Sequence, residues 1–146
     1  MTALYHLFPP TIHPMVIHFT IAIIYLAALA GLAGLIFRRD GFYVRLFLTL
    51  LVLAIAATLA AGVAGVISES YDTISPAVAK ILSVHKNFGE LTGVLVVIAT
   101  MFQWFAQGKR RVSKLAFLFS LAAVVTVSIT GFLGGSMVYN HGLGVH

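Results

Sequence analysis

The sequence contains no cysteine, and this absence removes several classes of site at once. Disulfide frameworks, thiolate zinc sites, iron–sulfur clusters and covalently attached c-type haem all require thiols. Any bound metal ion or haem would therefore depend on histidine, methionine or oxygen ligands.

Charged residues are also scarce. They make up 9% of the 146 residues, whereas 60% of the residues are hydrophobic and the mean hydropathy is +1.04. A soluble domain needs many more charged side chains to cover its surface. The composition excludes a cytosolic enzyme and indicates an integral membrane protein.

The few charges divide the chain into four apolar stretches. No acidic or basic residue precedes Arg38 or follows Lys114, and none lies between Arg45 and Glu69 or between Glu90 and Lys109. A transmembrane helix needs roughly 20 apolar residues, so each stretch is long enough for one crossing. The sequence predicts an all-α protein, an antiparallel up-down bundle of four transmembrane helices that forms one domain over residues 1–146. The predicted helices are at about 14–37, 43–67, 85–107 and 115–138, with a short interfacial helix at about 76–84 that begins after the Ser75-Pro76 cap.

Seven of the nine basic residues lie in two short segments, 38–45 and 109–114, after the first and third spans. Cytoplasmic loops accumulate Lys and Arg, which predicts that both segments are cytoplasmic and that both termini lie on the periplasmic or extracellular side. The expected location is the bacterial cytoplasmic (inner) membrane. The charges form no basic stripe with interleaved aromatics, so lipid headgroups are the expected partners and nucleic acid is not.

A weak internal repeat relates the two halves at a displacement of about 70 positions. Each half begins with a histidine-bearing helix, with His18 or His85, and ends in a glycine pair, Gly62 and Gly65 in one half and Gly131 and Gly134 in the other. The repeat would be parallel, with its axis along the membrane normal, and would place the first and third helices on a diagonal of the bundle.

All six histidines fall on the predicted outer side: His6, His13, His18, His85, His141 and His146. At about 1.5 Å per residue, His18 lies roughly 30 Å from Arg38 and His85 roughly 36 Å from Lys109. We therefore expect four of them, His13, His18, His85 and His141, to gather at one depth. His6 and His146 lie in the tails and are expected to bind nothing.

Small residues accompany these histidines and suggest a flat cofactor. Gly89 and Gly93 follow His85 on one helical face, and His141 follows a face that contains Gly131 and Gly134. Such surfaces leave room for a b-type haem held by one imidazole from each of two helices. The preferred axial pair is His18 and His85, with His13 as a terminal residue beside the site or a partner of His141.

Other interpretations remain open. Glycines at this spacing often serve only close helix packing in lipid. The imidazoles could instead hold copper or zinc, with His18 and His85 again the preferred ligands. Glu90 is expected to pair with Lys86, four positions earlier on the same helix, although a carboxylate there could also orient an imidazole or carry a proton to a quinone.

Two segments carry a family resemblance, HPMVIHF at 13–19 and GGSMVYNHGLGV at 134–145. Together they resemble a bacterial membrane family catalogued as a domain of unknown function, with an HPMxxHF opening, a four-helix body and a GGxxVYxHGxGV close. The resemblance implies a four-span integral membrane domain and singles out His13, His18 and His141. Relatives of this kind can occur beside Rieske-type or other redox proteins, which implies a respiratory setting.

These patterns lead to one functional expectation and two alternatives. The expectation is a small cytochrome-like electron-transfer protein or subunit that binds haem b near the outer membrane face. Its partners would be quinol, a cytochrome c or Rieske-type protein, or other subunits of a membrane redox complex. The alternatives are a non-catalytic subunit of a larger respiratory membrane complex and a histidine-rich copper or zinc site. An electron-transfer or accessory role is favoured over that of a free-standing enzyme.

Overall fold

The computed structural model describes residue 9 and residues 11–37 and 41–143, and within these ranges the protein consists of four long helices. Each helix is long and apolar enough to cross a membrane. This confirms the predicted four-helix transmembrane fold. The helices are α1 (Ile12–Ile36), α2 (Gly41–Glu69), α3 (Pro76–Ala106) and α4 (Lys114–His141), with a short 3₁₀ turn at Gln107–Lys109 before α4.

The main difference from the predicted boundaries is at the start of α3. The proposed interfacial helix and the third transmembrane helix are one continuous helix that begins at Pro76. The Ser75 side chain caps it by accepting a hydrogen bond from the Val78 amide, as the Ser-Pro pair predicts. No glycine or proline separates Pro76 from His85, so nothing interrupts the helix there.

The helices form a ring in which neighbours in sequence are neighbours in space. The most extensive contacts lie within two hairpins, α1 with α2 and α3 with α4. Smaller contacts of α2 with α3 and of α1 with α4 close the ring. Helices α1 and α3 therefore lie on a diagonal, so side chains on their inner faces can meet at the centre.

The interior is filled mainly by small residues with a few large side chains. Phe47 and Leu51 of α2 are among the largest fully buried side chains, and alanines from the other three helices pack around them. Small residues allow helix backbones to approach closely, which is the main source of packing energy between helices in lipid. The two buried clusters contain Ala27, Ala30, Val44, Phe47, Leu51, Ala99, Val112 and Ala116, and Ile24, Ala54, Val96, Ala123 and Val127.

Buried threonine hydroxyls link the helices within each hairpin. The Thr20 hydroxyl donates to the Ala57 carbonyl of α2 at 3.0 Å. The Thr92 hydroxyl lies 2.8 Å from the Thr126 hydroxyl of α4. In the apolar interior these hydrogen bonds satisfy polar groups that would otherwise be costly to bury.

The turn between α3 and α4 is held by Gln103, whose side chain is fully buried. Its Oε1 accepts a hydrogen bond from the Ser113 amide at 2.9 Å, and its Nε2 donates to the Arg111 carbonyl at 3.3 Å. Ser113 in turn caps α4 by accepting from the Ala116 amide. One side chain thus fixes the connection at the end of the bundle opposite the histidines.

Candidate functional site

Two histidines from diagonally opposite helices meet in the bundle. His13 lies in the first turn of α1 and His85 lies on α3, and their ring centroids are 5.9 Å apart with an interplanar angle of 78°. Both residues are partly buried. The structure thus brings together two of the four histidines expected at one depth.

Each imidazole is anchored to the second helix of its own hairpin. His13 Nδ1 donates to the Ala61 carbonyl of α2, and His85 Nδ1 donates to the Thr130 carbonyl of α4, both at 2.9 Å. A carbonyl oxygen can only accept, so the proton must be on Nδ1 in both rings. Among the described residues, neither Nε2 has a hydrogen-bond partner.

A glycine lies beneath each ring. A Cβ atom added at Gly65 would lie 3.3 Å from His13 Nδ1, and one added at Gly134 would lie 3.3 Å from His85 Cε1. These distances are shorter than ordinary van der Waals contact, so each glycine provides the space that its imidazole occupies. Gly134 was among the predicted site residues, whereas Gly65 was noted only as part of the repeat.

The contacts of the two hairpins recur at constant displacements. His13 and His85 are 72 positions apart, as are Thr20 and Thr92. Their partners on the second helices, Ala61 and Thr130, are 69 positions apart, and so are Gly65 and Gly134. The residue that corresponds geometrically to His85 is therefore His13, whereas the sequence comparison aligned His18 with it.

His18 and His141 lie away from this pair. His18 is exposed on the outer surface of α1, where its Nδ1 donates to the Pro14 carbonyl of the same helix. Five positions after His13, its side chain points about 140° away from that of His13 around the helix. His141 is exposed in the last turn of α4. Ligand roles for these two residues stay predictions, and His6, His146, Arg38 and Arg39 lie outside the described residues.

The other predicted glycines are in contact with neighbouring helices. A Cβ atom at Gly89 would lie 3.8 Å from the Thr130 side chain, and one at Gly131 would lie 3.4 Å from Ile21. At Gly93 the nearest atom is the Thr58 hydroxyl, at 4.0 Å. Their observed contacts are those of close helix packing, which was the alternative interpretation of their spacing.

The spacing of the His13 and His85 rings suits a single ion. A metal bound at about 2.0–2.1 Å from one nitrogen of each ring would hold the centroids roughly 5 to 6 Å apart. Imidazoles that bind metals almost always donate their other N–H to a carbonyl or carboxylate, as both rings do here. Among residues 11–37 and 41–143, no group of three or more His, Cys, Asp and Glu could complete such a site.

The same site leaves little room for a haem in this closed arrangement. A porphyrin between His13 and His85 would have to pass between α2 and α4. At this level the anchoring residues of those helices are buried, with Ala61 5% and Thr130 3% exposed. The glycine surfaces at 65 and 134 are already covered by the imidazoles. A macrocycle would fit between the two rings only if the helices separated.

Beside the histidine pair, an ion pair joins the two hairpins. Lys86 Nζ lies 2.6 and 2.8 Å from the two carboxylate oxygens of Glu69, at the end of α2. The expected partner, Glu90, is exposed in the wall of an open groove that Lys86 and Glu69 also line. The predicted Lys86–Glu90 pair is therefore wrong, because the end of α2 brings a carboxylate from a different helix within reach of Lys86.

Replacing Glu69 with glutamine is expected to lower the free energy of unfolding by at most about 1 kcal/mol, because both partners are partly exposed. The loss should shrink at high salt, which screens the pair. Glu90→Gln, which removes the same charge one turn beyond Lys86, should leave stability unchanged. Thermal unfolding of both variants in detergent, at low and high salt, measures this. A larger loss for Glu90→Gln would contradict the observed pairing.

Comparisons with known proteins give one family. A family model described as "Predicted membrane protein (DUF2231)" matches residues 9–146, nearly the whole chain. No curated protein and no solved structure matches the chain. At the level of the family, the resemblance carried by the two end segments is confirmed.

Proposed function

The chain belongs to this DUF2231 family of predicted membrane proteins, and from that premise we propose that it is a membrane metal-binding protein whose site is the His13–His85 pair. The proposal takes up the copper or zinc alternative from the sequence and assigns it to a different pair of histidines. It concerns one transition-metal ion shared by two imidazoles, a ligand type that suits copper, zinc, iron and nickel.

The observation that supports this proposal most strongly is the matched anchoring of both rings. When the proton is on Nδ1, the imidazole is neutral and the Nε2 lone pair is unprotonated, which is the state that binds a metal. Here two histidines, from two helices, have this arrangement at a ring separation of 5.9 Å.

The position in the bundle supports a site at the non-cytoplasmic face of a bacterial inner membrane. His13 lies at the start of α1. The basic residues Arg45, Lys109 and Lys114 lie at the other end of the bundle, near the connections from α1 to α2 and from α3 to α4. Under the positive-inside rule those basic residues mark the cytoplasmic side. A metal at the histidine end would then be accessible to a quinol, a cytochrome c or a Rieske-type partner in a respiratory membrane.

Haem b ligation and electron transfer through haem stay predictions of the sequence. If haem b is bound, the protein purified in detergent should show a Soret band, and a sharp α-band after reduction with dithionite. A colourless protein that binds copper or zinc stoichiometrically would favour the ion site instead. A non-catalytic role in a larger complex requires neither result.

Metal titration of the purified full chain, depleted of metal beforehand, tests the proposal. We expect one Zn(II) or copper ion per chain, and a loss of affinity of at least about 10- to 100-fold in His13→Ala and in His85→Ala. His18→Ala and His141→Ala are the matched controls and should bind as the unmodified chain does. Equal affinity in all four variants would refute the site.

A further inference from the structure

A third candidate ligand is Met137, a buried methionine at the histidine end of the bundle. It is 4% exposed, although it lies only four residues before the end of α4. Met137 follows Gly134 by three positions and so shares its helical face, one turn further out. Gly134 is the residue covered by the His85 ring.

The internal correspondence between the hairpins locates Met137 more closely. Counting 69 positions back from Met137 gives Ser68, the same displacement that relates Gly134 to Gly65. The Ser68 hydroxyl lies 3.3 Å from the backbone amide of His13 and accepts a hydrogen bond from it. By this displacement, the equivalent place in the second hairpin is near the backbone of His85, where the chain has the thioether of Met137 in place of a hydroxyl.

Two imidazoles and a thioether, from His13, His85 and Met137, would favour some metal ions over others. Zinc sites are usually four-coordinate with nitrogen, oxygen or thiolate ligands, whereas thioether sulfur is a soft donor that favours cuprous ion. The chain has no cysteine, so methionine is its only source of a soft ligand. An unbranched side chain with three rotatable bonds can also adjust its sulfur to a nearby ion.

We infer that Met137 is the third ligand of the site and that, together with His13 and His85, it makes the site selective for Cu(I). This inference rests on the proposed metal site and adds the identity of the metal and of one ligand. Because the two imidazoles come from equivalent positions, the ion lies between the hairpins and its stoichiometry is one per chain.

Met137→Leu tests the inference, because leucine keeps nearly the same volume and removes the sulfur. The Cu(I) affinity of the full chain in detergent is measured by competition with a chromophoric Cu(I) chelator, and the Zn(II) affinity with a fluorescent zinc indicator. We expect Met137→Leu to weaken Cu(I) at least about tenfold and to leave Zn(II) unchanged. Met15→Leu, at an exposed position of α1, is the matched control and should change neither.

X-ray absorption at the copper edge of the unmodified protein gives a second measurement that requires no variant to fold. It should detect one sulfur and two imidazole nitrogens around copper. A copper shell without sulfur, or an unchanged Cu(I) affinity in Met137→Leu, would overturn the inference. If His13→Ala and His85→Ala still weakened binding in that case, the proposed metal site would stand, whereas unchanged binding in those two variants would refute the site itself.

Discussion

Replacing Gly134 with leucine should displace the His85 imidazole and reduce metal affinity by about 100-fold. Even a methyl group at this position would lie 3.3 Å from His85 Cε1, and the longer leucine side chain would overlap the ring. A displaced ring loses its hydrogen bond to the Thr130 carbonyl, and with it the fixed orientation of Nε2. Loss of such an orienting contact typically costs 10- to 100-fold in affinity.

The neighbouring glycine provides the control for this experiment. A Cβ atom at Gly135 would meet no atom within 4 Å, so Gly135→Leu should bind metal normally. In the first hairpin, Gly65→Leu should act as Gly134→Leu does, with Gly62→Leu as its control, because Gly62 also faces open space. Circular dichroism of each variant in detergent separates loss of the site from loss of the fold. Equal metal affinity in Gly134→Leu and Gly135→Leu would show that the ring position does not matter.

The largest effect on stability is expected for Gln103→Leu. Leucine fills much of the same space but leaves the Ser113 amide and the Arg111 carbonyl without their partner. Ser113 is partly buried and Arg111 is exposed, so each lost hydrogen bond costs about 0.5–1.5 kcal/mol and the expected loss of unfolding free energy is about 1–3 kcal/mol. Thermal unfolding in detergent, followed by circular dichroism, measures the change.

Gln107, four positions later in the chain, makes a matched control because its side chain is exposed. Gln107→Leu should leave the unfolding temperature nearly unchanged. Metal binding should persist in the folded fraction of Gln103→Leu, because Gln103 and the histidine pair lie at opposite ends of the bundle. Equal unfolding temperatures for the two variants would mean that the hydrogen bonds to the turn contribute nothing to stability.

Most of the fold could be predicted from where the charges are. Four uncharged stretches of sufficient length fix four spans, since a charge within the hydrocarbon core is costly. The helix starts at Pro76 and Lys114 follow from the serines before them. The Ser75-Pro76 cap predicted a separate interfacial helix at 76–84, whereas α3 is continuous through these residues because none of them breaks a helix.

The site was predicted less well, because it depends on which side of each helix faces inward. The histidines were predicted to lie at one end of the bundle, with His18 and His85 as the pair. The glycines of the two halves are 69 positions apart, but His13 and His85 of the first helices are 72 positions apart, and an alignment at about 70 positions did not relate them. The carbonyls of Ala61 and Thr130 carry no side-chain signal, so no motif could have indicated them.

The four helices contact one another more within the hairpins than between them, and this has a consequence for biogenesis. Each hairpin makes its most extensive helix contacts internally, and its buried threonine hydroxyls bond within the same hairpin. The first hairpin can therefore complete its own interface in the bilayer before the ribosome has synthesised the second. Membrane helices associate after insertion through packing and hydrogen bonds, so docking of the two hairpins is a separate, later event. Because one imidazole comes from each hairpin, the metal site would arise only at that last step of assembly.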